Sequence, residues 1–292
     1  MLPVELQKVL LTTLREKTGI GHAIKEVWPV GGGCINHAHV VSTDRDRFFV
    51  KHNYAGRNPD MFNAEGRGLE LLKNAGELSV PGVICTGLAG NQAFLILEYI
   101  DSRPQEKDFW ENFGSGLAKL HRHTNHHFGL NHSNYIGSLP QHNTFSKSWK
   151  EFFISERIQP QLRISRESAK TNLELERKIE RLFARLGEFF PAEPPALLHG
   201  DLWSGNYMTG IRGEAVIVDP AVYYGHRYMD LGMAKLFGGF SPVFYNAYHA
   251  EYPLDSDWQQ GIEIANLYPL LVHVNLFGGG YLSSINSVLR KF

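Results

Sequence analysis

Leu197-Leu198-His199-Gly200-Asp201-Leu202-Trp203-Ser204-Gly205-Asn206 is an apolar run that empties into a loop bearing one carboxylate and, five residues later, one amide. Ile217-Val218-Asp219-Pro220 answers it, a second apolar run ending on a second carboxylate. The pattern H-x-D-x-x-x-x-N, followed by an Asp at the end of a strand, is the layout of a phosphoryl-transfer site. In that layout the first Asp accepts the proton of an attacking hydroxyl, while the Asn and the later Asp are oxygen ligands for magnesium ions that bridge the phosphates. Asp201 is therefore the candidate base, and Asn206 and Asp219 are the candidate metal ligands. Either fragment alone reads as a turn, Gly and Asp being common turn residues. Together, in this order and at this spacing, they read as a site. Base and metal must converge on one phosphorus to within about an ångström, which two loops pinned by neighbouring strands can achieve.

Upstream, Leu6, Val9, Leu10, Thr13 and Leu14 recur at helical spacing, and Gly19 ends that helix. Strand-like runs over residues 24–30, 35–42 and 47–51 follow, joined by Gly31-Gly32-Gly33-Cys34 and by Asp44-Arg45-Asp46, as in an antiparallel meander. The glycine turn, Gly32 and Gly33 in particular, lets backbone amides approach phosphate oxygens, although a plain hairpin turn has the same composition. It is not a Walker loop, because no G-K-[ST] follows. Lys51 closes the third strand as a candidate phosphate ligand. A helix comes next, with Asn58 as its cap, Pro59 at its first position and Gly76 after its end. Glu65 on that helix is the candidate carboxylate partner of Lys51, and Glu70 is a competitor. Two further strands, over 83–86 and 93–99, complete a five-stranded sheet with one helix.

The polar, Pro-containing stretch Asp101-Ser102-Arg103-Pro104-Gln105 marks a boundary, giving a nucleotide-binding lobe over residues 1–100 and a larger, mainly helical lobe over 101–292. Backbone groups of Glu98 and Ile100 just before it are placed to meet an adenine edge. Within the larger lobe a single helix is expected over residues 173–190. His121, His123, His126, His127 and His132 suit either a metal or solvated helix-end histidines, and no Cys or Glu stands at zinc-motif spacing. Asn134-Tyr135-Ile136-Gly137-Ser138-Leu139-Pro140-Gln141 either contacts substrate or braces the helices. Tyr224 and His226, within Tyr223-Tyr224-Gly225-His226-Arg227, either line an acceptor site or pack a corner, whereas Asp230 is read as a brace and helix cap.

Length and composition exclude several other classes. The 292 residues are 43% hydrophobic and 20% charged, with a formal net charge of −1, an ordinary globular balance without the basic footprint of a nucleic-acid binder. Two cysteines, Cys34 and Cys85, make no disulfide framework and point to a reducing cytoplasm. No signal peptide is expected, and the apolar stretch over residues 265–282 is too broken by Pro269, His273, Asn275 and glycines to span a membrane. Cys34, a thiol in a glycine-rich loop, is either a redox switch able to link two chains of an otherwise monomeric protein or simply a small residue that fits the turn.

Taken together these pieces resemble the fructosamine kinase (ketosamine-3-kinase) family, within the aminoglycoside-phosphotransferase branch of protein-kinase-like folds. The resemblance rests on Asp201-Leu202-Trp203-Ser204-Gly205-Asn206, Asn134-Tyr135-Ile136-Gly137, Asp219-Pro220-Ala221, Tyr224-Gly225-His226-Arg227 and Leu236-Phe237-Gly238-Gly239-Phe240. One departure shows: the family commonly has Glu-Ala-Asp where this chain has Tyr228-Met229-Asp230. The resemblance implies a bilobal α+β fold and ATP- and magnesium-dependent phosphorylation of the 3-hydroxyl of a ketoamine such as fructosamine or ribulosamine, leading to deglycation. It also implies Lys51 as phosphate clamp with Glu65 as its partner, and Trp203 as a platform for the sugar. Competing readings are a kinase of another small alcohol (aminoglycoside, choline or homoserine) and a non-catalytic nucleotide-binding regulator.

Overall fold

The structure is a computed structural model that describes residues 2–31, 36–56 and 58–292. Gly32, Gly33 and Cys34 lie outside the described residues. The smaller lobe runs α1 (Val4–Thr18), β1 (Ile24–Val30), β2 (His37–Thr43), β3 (Arg47–Tyr54), α2 (Met61–Ala75), β4 (Val83–Ala89) and β5 (Gln92–Glu98). Its five strands form one antiparallel sheet in the order β1-β2-β3-β5-β4.

Side chains alternate across a strand, and that alternation decides what this sheet can do. On one face Val41, Phe48, Val50, Phe94 and Ile96 pack against Leu6, Leu10 and Leu14, the buried stripe of α1. On the other, Ala93, Leu95 and Leu97 pack against Phe62 and Leu69 of α2. Lys51 lies between Val50 and His52 in β3, so it faces α2, directly across from Leu95. Glu65 follows Phe62 by three residues and precedes Leu69 by four, which puts it on the same helix face. The structure brings these two together and leaves Glu70 exposed. α2 begins later than its sequence signals indicate. Asp60 is the flanking residue, and the Asn58 side chain is engaged elsewhere, donating to the Ser138 carbonyl at 3.1 Å.

The larger lobe continues with α3 (Phe109–Leu120), β6 (Asn134–Ile136), β7 (Leu139–Gln141), α4 (Trp149–Phe152), a π-helical stretch (Phe153–Ile158), α5 (Gln159–Glu167), α6 (Leu173–Phe183) and α7 (Leu186–Phe189). Then come β8 (Ala196–Leu198), β9 (Tyr207–Thr209), β10 (Ala215–Ile217), β11 (Tyr223–Gly225), α8 (Tyr228–Leu236), α9 (Pro242–Glu251), α10 (Trp258–Ala265), α11 (Leu267–Phe277), a 3-10 turn (Gly279–Tyr281) and α12 (Leu282–Leu289). The single helix expected over residues 173–190 is two: α6 closes with a tight turn from Arg185 N–H to the Leu182 carbonyl, and α7 turns Leu186 and Phe189 inward. α11 is apolar because it is buried nearly all round, and no helix among the described residues is long and apolar enough to cross a membrane. α3 and α9 approach closely at Gly114, where a Cβ would lie 2.2 Å from the Phe244 carbonyl oxygen. The lobes are stitched together at Ser79, whose carbonyl accepts from Ile217 N–H at 2.9 Å, beside a parallel bridge to Val216.

Candidate active site

β8 is buried along its whole length and pairs with β11, so the chain emerges into the 199–206 loop from a fixed point. Gly200 has φ +85°, and a Cβ there would lie 2.0 Å from the Ala221 carbonyl oxygen, so only glycine fits. His199 is buried and neutral, its pKa lowered by burial against the pull of Asp230. Its Nε2 donates to the Val218 carbonyl at 2.9 Å, leaving Nδ1 to accept from Asp201 N–H at 3.3 Å, a tautomer assigned from these partners.

Asn206 donates through Nδ2 to the Asp201 carbonyl at 2.8 Å and to Asp201 Oδ2 at 3.0 Å. Burial pushes the Asp201 carboxyl up to about 7, against the Asn206 hydrogen bond and with a further push from the charges of Asp219 and Asp230. The Lys51 ammonium bonds both Glu65 oxygens, at 2.8 and 3.0 Å, and Asp219 Oδ1 at 3.0 Å. Burial works to lower its pKa, but the two carboxylates outweigh burial and hold it above the ordinary lysine value. Asp219 adopts φ +55°, a left-handed conformation rare for a residue other than glycine, and its side chain is 48% exposed. Lys51, Glu65, Asp201, Asn206 and Asp219 thus form one continuous constellation spanning both lobes.

The loop's geometry has an anchor that sequence reasoning places only loosely. Asp230, in the first turn of α8, accepts from His199 N–H at 2.7 Å and Gly200 N–H at 2.9 Å rather than capping its own helix. His121 Nε2 also reaches it at 3.2 Å, and His121 Nδ1 meets the Tyr248 hydroxyl at 2.7 Å. Burial alone would raise the Asp230 carboxyl, yet these bonds hold it below the usual range. His121 is therefore neither a metal ligand nor solvated but fully buried. Among the described residues no group of three or more His, Cys, Asp or Glu could hold a metal.

Of the two acceptor-site candidates, His226 needs correction. β11 runs antiparallel to β8, with Tyr223 opposite Leu198 and Gly225 opposite Ala196, so the chain travels away from the 199–206 loop. His226 lies past that far end, 1% exposed, among Trp149, Phe190 and Tyr228, with Nε2 on the Pro191 carbonyl at 3.2 Å. Burial pulls its pKa down to about 3. Tyr224 is half-buried against the core, its backbone tied to Gly129 in both directions. Arg227 is likewise buried, on Glu193, and Tyr228, at the departure from the family pattern, is fully buried and so bears on packing. Trp203 remains at the surface, 38% exposed, edge-on to Phe237 and lying over Gly205. Glu98 and Ile100 stand at the end of β5 and in the irregular connector after it. The Glu98 N–H is taken by the Gly82 carbonyl at 2.9 Å. A cavity of about 430 Å³ beside this connector is lined by Leu78, Val80, Tyr99 and Val216, and excludes Lys51, Asp201 and Asp219.

A small antiparallel sheet carrying a helix-paired lysine, set over a helical lobe carrying H-G-D, Asn and Asp, defines a phosphotransferase of the protein-kinase-like class. Over residues 6–292 the sequence matches the fructosamine kinase family. A probable ketoamine kinase of Synechocystis sp. is 38% identical over 279 residues, covering 95% of this chain and 94% of the relative. The chloroplastic protein-ribulosamine 3-kinase of Arabidopsis thaliana is 38% identical over 277 residues, covering 92% and 83%. The crystal structure of a Haemophilus somnus protein provisionally named fructosamine-3-kinase superposes with a TM-score of 0.88 at 27% identity, over 99% of both chains. The fold alone extends further, to an aminoglycoside phosphotransferase at a TM-score of 0.61 and 13% identity. The chain belongs to the fructosamine kinase family.

Proposed function

We propose that the protein transfers the γ-phosphoryl group of ATP to the 3-hydroxyl of a ketoamine, the adduct left when a sugar condenses with an amine. The observation that carries this is the meeting of Lys51, Glu65, Asp201, Asn206 and Asp219 at one point, in a family whose relatives include a ketoamine kinase and a ribulosamine kinase by name. Asp201 takes the hydroxyl proton as the oxygen attacks phosphorus and ADP leaves. Its raised carboxyl suits a base working near neutral pH. Lys51, oriented by Glu65, holds the nucleotide phosphates, and the Glu98 carbonyl, its N–H being engaged by Gly82, meets the adenine together with backbone groups of Ile100. The phosphorylated adduct then breaks down and releases the amine, which makes the activity one of deglycation in a reducing cytoplasm.

The residues fit magnesium. Asn206 turns its amide N–H groups toward Asp201, leaving its carbonyl oxygen for a cation, and the exposed Asp219 carboxylate is a second hard oxygen donor. Mg²⁺ is commonly held by one or two protein oxygens together with substrate phosphates. When bound there it neutralises charge developing on the phosphates. Trp203 is the platform for the sugar ring.

Coupled ADP release with ribulose-lysine, fructose-lysine, an aminoglycoside, choline and no acceptor tests this reading. Turnover dependent on ketoamine and absent in Asp201→Asn supports it. Turnover with another alcohol alone, or ATP binding without turnover, overturns it.

A further inference from the structure

Asn134, at the head of Asn134-Tyr135-Ile136-Gly137, and the Gln141 and Asn143 that follow form a buried polar network. Asn134 and Gln141 face each other across the β6–β7 hairpin. Asn134 Nδ2 donates to the Val222 carbonyl at 2.7 Å, and Gln141 Nε2 donates to the Ala221 carbonyl at 3.0 Å. Gln141 Nε2 and Asn143 Nδ2 both donate to Asn134 Oδ1, at 2.8 and 3.0 Å. The far ends are Tyr268, whose hydroxyl donates to Gln141 Oε1 at 2.7 Å, and Arg157, whose Nη2 donates to Asn143 Oδ1 at 2.7 Å. Asn134, Gln141, Asn143, Arg157 and Tyr268 are all buried.

Two features show that this is more than a satisfied core. Arg157 is a fully buried cation whose acceptors are carbonyl and amide oxygens, the His142 carbonyl at 2.6 Å among them, with its guanidinium 3.9 Å over the Tyr223 ring. It sits in the π-helical stretch Phe153–Ile158, a geometry that is rare and concentrated at functional sites. The amides also run head to tail: Arg157 donates to Asn143, Asn143 to Asn134, and Asn134 to Val222. Each bond polarises the next in the same sense; this chain ends on the Val222 carbonyl, and a second, from Tyr268 through Gln141, ends on the Ala221 carbonyl, the two lying immediately beyond Asp219-Pro220.

Asp219 is the strained residue of the site. On its N-terminal side the backbone is fixed by Val218 N–H on the Asn206 carbonyl and by His199 on the Val218 carbonyl. On its C-terminal side the fixed points are Ala221 N–H on the His199 carbonyl and the two carbonyls held by Gln141 and Asn134. A left-handed conformation at a residue other than glycine persists only where its surroundings over-determine it. Its half-exposed carboxylate meets the Lys51 ammonium at 3.0 Å, so the backbone conformation and that one ion pair together set its aim.

We propose that Asn134, Gln141, Asn143, Arg157 and Tyr268 are positioning residues that hold Asp219 in its left-handed conformation and so fix the divalent-cation site of the phosphoryl transfer. The proposal rests on Asp219 being a cation ligand. Its test is Mn²⁺ binding to the enzyme–ADP complex, read from the electron paramagnetic resonance of free Mn²⁺, beside kcat, ketoamine KM and Tm. Asn134→Ala and Gln141→Ala weaken Mn²⁺ binding about tenfold or more and lower kcat in parallel, with ketoamine KM changed by less than about twofold. Asn143→Asp guards against simple unfolding. It keeps the acceptor for Arg157, and the charged pair so formed offsets the lost donations to Asn134 and to the His132 carbonyl, so the chain still folds, as Tm reports, and still loses Mn²⁺ affinity. Unchanged Mn²⁺ binding and kcat in a folded Asn143→Asp overturns the proposal and leaves the network a mere brace. Unchanged Mn²⁺ binding in Asp219→Asn removes its premise instead, and wild-type ketoamine turnover judges the reaction independently of both.

Discussion

At the level of single residues, the constellation assigns separable jobs. Asp201→Asn keeps the Asn206 contact but cannot take a proton, so kcat falls about 10³-fold, while calorimetry finds ADP binding close to wild type. Gly205→Ala acts on a different coordinate. The new Cβ would lie 2.3 Å from the Trp203 ring, which must move, so ketoamine KM rises several-fold, on the order of the 1 kcal/mol such a shift costs, and ATP KM holds. A parallel rise in both would make Trp203 structural. The H-G-D loop is legible in sequence because its chemistry is written within ten consecutive residues. His226 is misplaced by sequence reasoning because nearness along the chain to Asp219 says nothing about direction, and the antiparallel β8–β11 pairing carries it away. The His121 contact with Asp230 spans 109 positions and leaves no local trace.

Pairs of elements carry their own predictions. Gly114 sets the spacing of α3 and α9, where an added methyl meets the Phe244 carbonyl oxygen and the Ala247 side chain. Gly114→Ala destabilises the fold by about 1–3 kcal/mol, read as a lower urea midpoint with unchanged m. Sheet membership and helix count in the smaller lobe are readable from period-2 and helical patterning, because each face packs on one helix. Which of Glu65 and Glu70 meets Lys51 is open in sequence. The choice depends on which face of α2 meets the sheet, and Phe62 and Leu69 settle it. The break between α6 and α7 escapes a sequence reading because helical periodicity continues across it.

For the whole molecule, buried neutral histidines make one contribution to the pH dependence of stability. His226 and His199 both titrate below the ordinary value of 6.5 in the folded protein. Each takes up a proton on unfolding, so its contribution is complete above that value and is lost as pH falls below it, for His226 down to about 3. Well below the ordinary value each histidine removes roughly 1 kcal/mol per pH unit. Asp201, raised to about 7, binds its proton in the folded state and contributes the opposite slope in the same window. Urea unfolding between pH 7.5 and 5 is therefore compared between wild type and His226→Leu: the difference in slope is the His226 share, and equal slopes would mean that the His226 proton is not coupled to folding.

Ser79 ties the end of α2 to β9–β10, whereas Lys51 rides on the sheet. The helix is thus tied to the larger lobe on its far side, and any rocking of one lobe over the other loads the interface where Phe62 and Leu69 pack on Leu95 and Leu97 and Glu65 meets Lys51. That interface is a natural strain gauge: a pair of spin labels on β3 and α2 reads domain motion over a few ångströms, where labels on the outer ends of the lobes would average it away.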